Sequence, residues 1–113
     1  MEAIMTQSEW YEYLNKAVRI QGDWIVWKID DAIETLGHLA NNDLVIVGGD
    51  ILTNCMEYTN DNWYYNPNPI FERSQNVKYG LKRSCEYITW YRQKFGDDFF
   101  VLIVVDKDTP LLA

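Results

Sequence analysis

The spacing of apolar residues along the chain changes several times, and each change marks a predicted element. From Ser8, which can cap a helix, Trp10, Tyr13, Leu14, Ala17 and Val18 recur at three and four residues and predict a first helix ending at Gly22. A second helix is predicted from Trp24 to about Ala40, with Trp27, Ile33, Leu36 and Ala40 on its buried side. Gly37 weakens its last turn, and Asn41-Asn42-Asp43 ends it. Leu44 to Val47 is a continuous apolar run of strand length. Gly48-Gly49-Asp50 follows, and because paired glycines admit the positive φ that other residues resist, a sharp turn or bulge is expected with Asp50 at the bend. Ile51 to Tyr58 and, after a turn at Thr59 to Asn62, Trp63 to Tyr65 complete a predicted three-strand meander.

Asn66-Pro67-Asn68-Pro69 can neither continue a strand ladder nor start a helix before its second proline, so it reads as an extended connector. Beyond it the stripe Val77, Leu81, Ser84, Ile88, Tyr91 and Phe95 predicts a third helix from about Glu72 to Phe95, with Lys78, Lys82, Arg83 and Arg92 on the remaining surface and Gly96 as its stop. Phe99 to Val105 is apolar without a break, which suits a strand buried on both faces in the middle of a sheet. Pro110 then releases a short tail. These elements give an α+β fold class: a small mixed or antiparallel sheet of about four strands packed against about three helices. With 113 residues, one domain spanning 1–113 is expected, its core burying about two thirds of the unfolded surface.

Charge narrows the partners. Seventeen acidic residues against ten basic ones give a formal net charge of −7. Such a field repels phosphate backbones and anionic membrane surfaces, so neither nucleic acid nor membrane is an expected partner. Five Trp, eight Tyr and four Phe make the chain rich in side chains that fill cores and anchor interfaces. Cys55 and Cys85 do not make a disulfide framework and are expected as buried free thiols. No basic segment leads into an apolar core at the N-terminus, and no run approaches the ~20 apolar residues of a membrane span, so a cytoplasmic location is expected.

Enzyme motifs fail on inspection. His38 is the sole histidine and follows a helix glycine, where a surface or helix-dipole role suits it better than general-base work. Gly48-Gly49 lacks the spaced third glycine, the lysine and the helix start of a phosphate-cradling loop. The same letters occur in the signature of cyclic-dinucleotide synthases, but Ile51 stands where that signature has an acidic residue. Convergence of Asp50, Glu57, Asp61 and Glu72 would be the one route to a small carboxylate-dependent enzyme or a magnesium site, and nothing in their spacing requires it. No metal or cofactor is therefore expected.

Several features recur in a fixed order: Gly48-Gly49-Asp50 after a strand, the Asp and Trp of Asp61-Asn62-Trp63, Ser84 with Tyr87-Ile88 on a helix, and a closing hydrophobic strand. In that order and with those short spacers the chain resembles the immunity protein 40 family of bacterial polymorphic toxin and contact-dependent inhibition systems, over roughly residues 26 to 105. The resemblance implies a non-enzymatic antidote that binds a cognate toxin C-terminal domain in the cytoplasm; the sequence does not fix the oligomeric state, with a monomer favoured. A structural or adaptor domain with no toxin partner is the third reading.

The acidic surface fits capture of a basic, nuclease-type toxin by electrostatic steering. On chemistry alone the contact surface is expected around the meander turns and the connector, at Asp50, Glu57, Asp61, Trp63, Tyr64 and Glu72, with Gly48 and Gly49 in a structural role.

Overall fold

A computed structural model of the chain describes residues 16–21 and 24–106. Those residues form strands β1 (Val18–Gln21) and β2 (Trp24–Lys28), helix α1 (Ile29–Asn41), strands β3 (Ile46–Thr53) and β4 (Tyr58–Tyr64), helix α2 (Arg73–Phe95) and strand β5 (Phe99–Val105). The strands make one sheet in the order β1-β2-β5-β3-β4, and every neighbouring pair is antiparallel. The closing apolar strand lies in the middle, between β2 and β3, as its unbroken hydrophobicity requires.

Two segments expected to be helical are strands. Most of the predicted first helix lies outside the described residues, but Val18–Gln21, its expected last turn, pairs with β2. Trp24–Lys28, expected to open the second helix, pairs with β5 through Val26 opposite Leu102 and Trp27 opposite Val101. Both segments are rich in β-branched and aromatic residues, which lose side-chain freedom in a helix and suit a pleated surface. Thus α1 starts only at Ile29, and the described residues hold two helices and five strands, one strand more than expected, while the body of the expected first helix lies outside them. The other helix agrees closely with expectation, running Arg73–Phe95 and ending at Gly96.

Both helices cover one face of the sheet. Ile29, Ala32, Leu36 and Leu39 of α1 and Ile88 and Tyr91 of α2 pack with Trp27, Ile46, Ile51, Trp63, Val101 and Ile103 in the main core. Since side chains alternate between faces along a strand, Val26, Leu52 and Leu102 form a second cluster on the far face, with Met56 and Phe100 against it. The expected stripe on α2 is shifted: Asn76, Gly80, Ser84, Ile88 and Tyr91 are buried, whereas Phe95 is exposed. The thiols are also more open than expected, Cys55 exposed and Cys85 half-buried, and neither forms a disulfide. Among the described residues no helix is long and apolar enough to cross a membrane.

No meander forms at the glycine pair. Strand β3 continues through Gly48-Gly49-Asp50 with no turn there, although its pairing with β5 shifts register between Ile46 and Gly48, an irregularity of the bulge kind the glycines allow, and it returns as β4 after a turn at Asn54–Glu57, where Met56 has a φ of 64°. The Thr53 hydroxyl accepts the N–H groups of Cys55 and Glu57 at 3.2 Å and holds that turn. The expected turn at Thr59 to Asn62 lies inside β4. It is an irregularity of register between Asp50 and Leu52, with Asn60 at a φ of 71° and the Thr59 hydroxyl donating to the Ile51 carbonyl at 2.8 Å.

The glycines meet a different demand. Gly48 has a φ of 153°, and a β-carbon there would strike the backbone of Trp63 and Tyr64 on β4. Gly49 has ordinary φ, but a β-carbon would collide with the Leu102 carbonyl on β5 and with the Trp63 ring. Because both obstacles include backbone in neighbouring strands, neither can give way cheaply. Gly48→Ala and Gly49→Ala are each expected to lower stability by about 1–3 kcal/mol. Gly37→Ala, where a β-carbon meets nothing within 4 Å in the middle of α1, is expected to raise it by up to about 1 kcal/mol. Chemical denaturation of the three variants checks this. Stability unchanged by Gly49→Ala would mean that the Trp63 contact is not held as described.

Candidate functional site

The residues expected at a partner surface all lie on the β3–β4 hairpin except one, and they divide between the two faces. Paired residues on adjacent strands point to the same side of a sheet. Asp50, opposite Asn62 and Leu102, and Tyr64, opposite Gly48 and through it in line with Val104, therefore face away from the helices. There Tyr64 is 67% and Val104 41% exposed, with only glycine between them. Glu57 is exposed at the hairpin turn, next to exposed Tyr58. The Tyr58 phenol is pushed above its ordinary pKa, first by burial and then by the Asp50 carboxylate.

Asp61 and Trp63 point the other way, toward α2. The Asp61 carboxylate is exposed and accepts the Tyr91 hydroxyl at 2.9 Å. Trp63 is 2% exposed, so its ring is a packing element beneath the surface rather than part of it. Its indole N–H donates to the Ser84 hydroxyl at 2.9 Å, and that hydroxyl donates to the Gly80 carbonyl at 2.7 Å. Tyr87 stacks on the indole, ring centroids 5.3 Å apart. Glu72 stands apart at the start of α2, where it is exposed and forms a capping box with Gln75. The Glu72 N–H donates to Gln75 Oε1 at 3.0 Å, and the Glu72 side chain caps an amide of the first turn. Of the six candidates, only Asp50 and Tyr64 are brought onto one patch.

These contacts bring the sequence markers together. Gly49, Asp61, Trp63, Ser84 and Tyr87, spread over nearly forty positions, meet along the seam where the hairpin packs against α2. The seam is dry enough to move proton affinities: the Tyr91 hydroxyl is pushed up to about 12, first by burial and then by its hydrogen bond to Asp61. Burial likewise raises the Cys85 thiol, which keeps it protonated and poorly nucleophilic at neutral pH.

The carboxylates are otherwise dispersed. Among the described residues there is no group of three or more His, Cys, Asp or Glu side chains placed to hold a metal. Several carboxylates hold the fold instead: Arg73 at the start of α2 reaches Asp43 at 3.0 Å and Asp106 at 3.4 Å, and Arg92 reaches Asp30 at 2.9 Å. His38 sits in the last turn of α1.

Sequence reading missed a surface on the other side of the connector. Tyr65, Asn68 and Phe71 there face Tyr79, Lys82, Arg83 and Glu86 of α2 across an open groove of about 560 Å³. The signal was in the sequence, because residues 79, 82, 83 and 86 recur at i, i+3, i+4 and i+7, one face of a helix distinct from the buried one.

The model of one protein family, Immunity protein 40, matches residues 18–105. Neither the curated proteins nor the solved structures give a match.

Two variants test the seam. Ser84→Ala strands a buried indole N–H without its acceptor and is expected to cost about 1–3 kcal/mol. Tyr91→Phe tests the pH dependence. A hydroxyl whose folded pKa lies above its unfolded value of about 10 contributes stability in full below pH 10 and loses it as pH rises through about 12. In urea titrations from pH 8 to 12 the parent should lose stability across that window, and Tyr91→Phe should lose less. Identical alkaline profiles would show that the Tyr91–Asp61 bond carries no such linkage.

Proposed function

The chain belongs to the immunity protein 40 family, and on that premise we propose that it binds a cognate toxin domain and neutralises it stoichiometrically, without catalysis. The observation that carries this reading is the extent of the match. Residues 18–105 take in all five strands and both helices of the described residues, so the likeness is not confined to an isolated motif.

The surface supports the same reading physically. A net charge of −7 draws a basic partner, such as a nuclease-type toxin with a cleft for phosphates, from beyond contact range. On the hairpin, half-buried Asp50 and exposed Glu57 supply carboxylates and exposed Tyr64 an aromatic ring, all from a rigid strand-paired support. Exposed aromatic residues on such a support bury large area at small entropic cost. Asp61 faces α2 and Glu72 caps its start, so neither joins that patch, and Trp63 acts from underneath by fixing the hairpin. Protection takes place in the cytoplasm, where a toxin acting on nucleic acid must be met before it reaches its target.

Co-expression with the toxin domain encoded immediately upstream tests the proposal. Survival should track the ratio of the two proteins, with a one-to-one complex on gel filtration. Rescue by far fewer antidote than toxin copies, with no complex formed, would point to an enzyme and contradict it. Association should also slow as salt rises, since exposed charges are screened over ~8 Å at physiological ionic strength. The pair Asp50→Asn and Glu57→Gln should slow it at low salt while leaving dissociation nearly unchanged.

A further inference from the structure

The groove beside the connector has three properties that folding alone does not call for. The first is rigidity. Asn76, 8% exposed, accepts the Tyr65 hydroxyl at 2.7 Å and the Asn68 N–H at 2.9 Å, and donates to the Asn68 carbonyl at 3.0 Å. Pro67 and Pro69 on either side restrict the backbone further. A connector that could have been loose is thus fastened to α2 by one buried amide, so the groove exists before anything enters it.

The second property is apolar surface held outward. Ile70 at the tip of the connector is 89% exposed, and Phe71 and Tyr79 behind it are 36% and 38% exposed with ring centroids 5.5 Å apart. The third is charge. Arg73 and Arg92 each hold a carboxylate, whereas Arg83 forms no ion pair or hydrogen bond among the described residues. Lys82 reaches only Glu86, at 4.0 Å, and the Lys78 ammonium lies 5.9 Å from the centre of the Tyr79 ring. In a chain of net charge −7 an arginine without a carboxylate is conspicuous. With Lys82 and Arg83 against Glu86 in its lining, the groove is therefore an aromatic-walled site of net positive charge on an acidic protein.

We infer that this groove receives a segment of the toxin domain bearing a carboxylate next to an apolar side chain. The carboxylate pairs with the Arg83 guanidinium, whose planar fork suits two parallel hydrogen bonds, with Lys82 beside it. The apolar side chain packs against Phe71 and Tyr79, and Ile70 covers its rim. Charge complementarity identifies the occupant. Overall acidity brings in a basic partner at long range, while a local patch of opposite sign accepts only the register that places an acidic group of that partner here. The inference deepens the toxin-binding reading and rests on it.

The test uses the full chain and the toxin domain encoded immediately upstream, titrated by calorimetry. Arg83→Glu should weaken binding roughly 30-fold or more, and Arg83→Lys should restore part of the loss. Arg83 is exposed, so the charge reversal should leave the melting temperature unchanged. Phe71→Ala should weaken binding mainly through faster dissociation. If that variant unfolds, Arg83→Glu still decides. Parent-like affinity in both Arg83→Glu and Lys82→Glu would overturn the inference while leaving toxin binding intact. Failure of the parent chain itself to bind would remove the toxin-binding reading, and the inference with it. A single-stranded oligonucleotide that bound the parent and was lost in Arg83→Glu would also overturn it, assigning the groove to another kind of ligand.

Discussion

The Trp63 ring occupies space that any side chain at position 49 would fill, and much of the structure follows from that exclusion. A bare Gly49 in the middle of β3 lets the indole of the adjacent strand lie flat against the sheet, where it is buried to 2%. Burying an indole brings an N–H that must find an acceptor. The Ser84 hydroxyl supplies it and donates its own hydrogen bond to the Gly80 carbonyl, so this pair of bonds fixes the rotation and height of α2 over the hairpin. Tyr87 then closes the exposed flank of the ring, and Tyr91, one turn later, reaches Asp61 on the same strand. A single steric vacancy thereby sets the register between the last two structural layers.

On the proposed function, the seam is the frame and the side chains exposed around it are the contact surface. The residues by which the chain resembles its family are mostly those that build the seam, and few of them face solvent. In the proposed function, contact with a toxin falls to other side chains: Tyr64 and Asp50 on the far face, Glu57 at the turn, and the groove walls formed by Tyr79 and Arg83. Rigidity is shared by both regions, from the strand pairing under the hairpin and from Asn76 under the connector. A partner that docks on either surface meets groups already positioned, which limits the ordering cost of binding.

Much of this was legible in the sequence, and the failures have physical causes. Strand β5 and helix α2 were readable because seven apolar residues without interruption and a long periodic stripe each admit one structural solution. Trp24–Lys28 was misread because Trp27 falls in phase with the apolar positions of α1, and periodicity alone cannot separate a short buried strand from the first turn of the helix that follows it. At Gly48-Gly49 local conformational freedom argued for a turn or bulge, and an irregularity of register does fall at Gly48, but the constraint at Gly49 came from Leu102 and Trp63, both remote in sequence. The partner surface was harder still. A sequence shows which residues are aromatic or charged, but burial of Trp63 and capping by Glu72 depend on what α2 brings to them. Arg83 was read as decoration on a solvated helix because nothing in the sequence shows that it would lack a carboxylate partner.

The central claim is that frame and contact are separate sets of residues. Saturation mutagenesis with two readouts, soluble abundance and survival under toxin co-expression, tests it most directly. Substitutions at Gly49, Trp63 and Ser84 should lower abundance and survival together, whereas those at Tyr64, Tyr79 and Arg83 should lower survival at normal abundance. Variants of Trp63 or Gly49 that remain abundant yet fail to protect would contradict the account, because the seam would then be the contact surface itself.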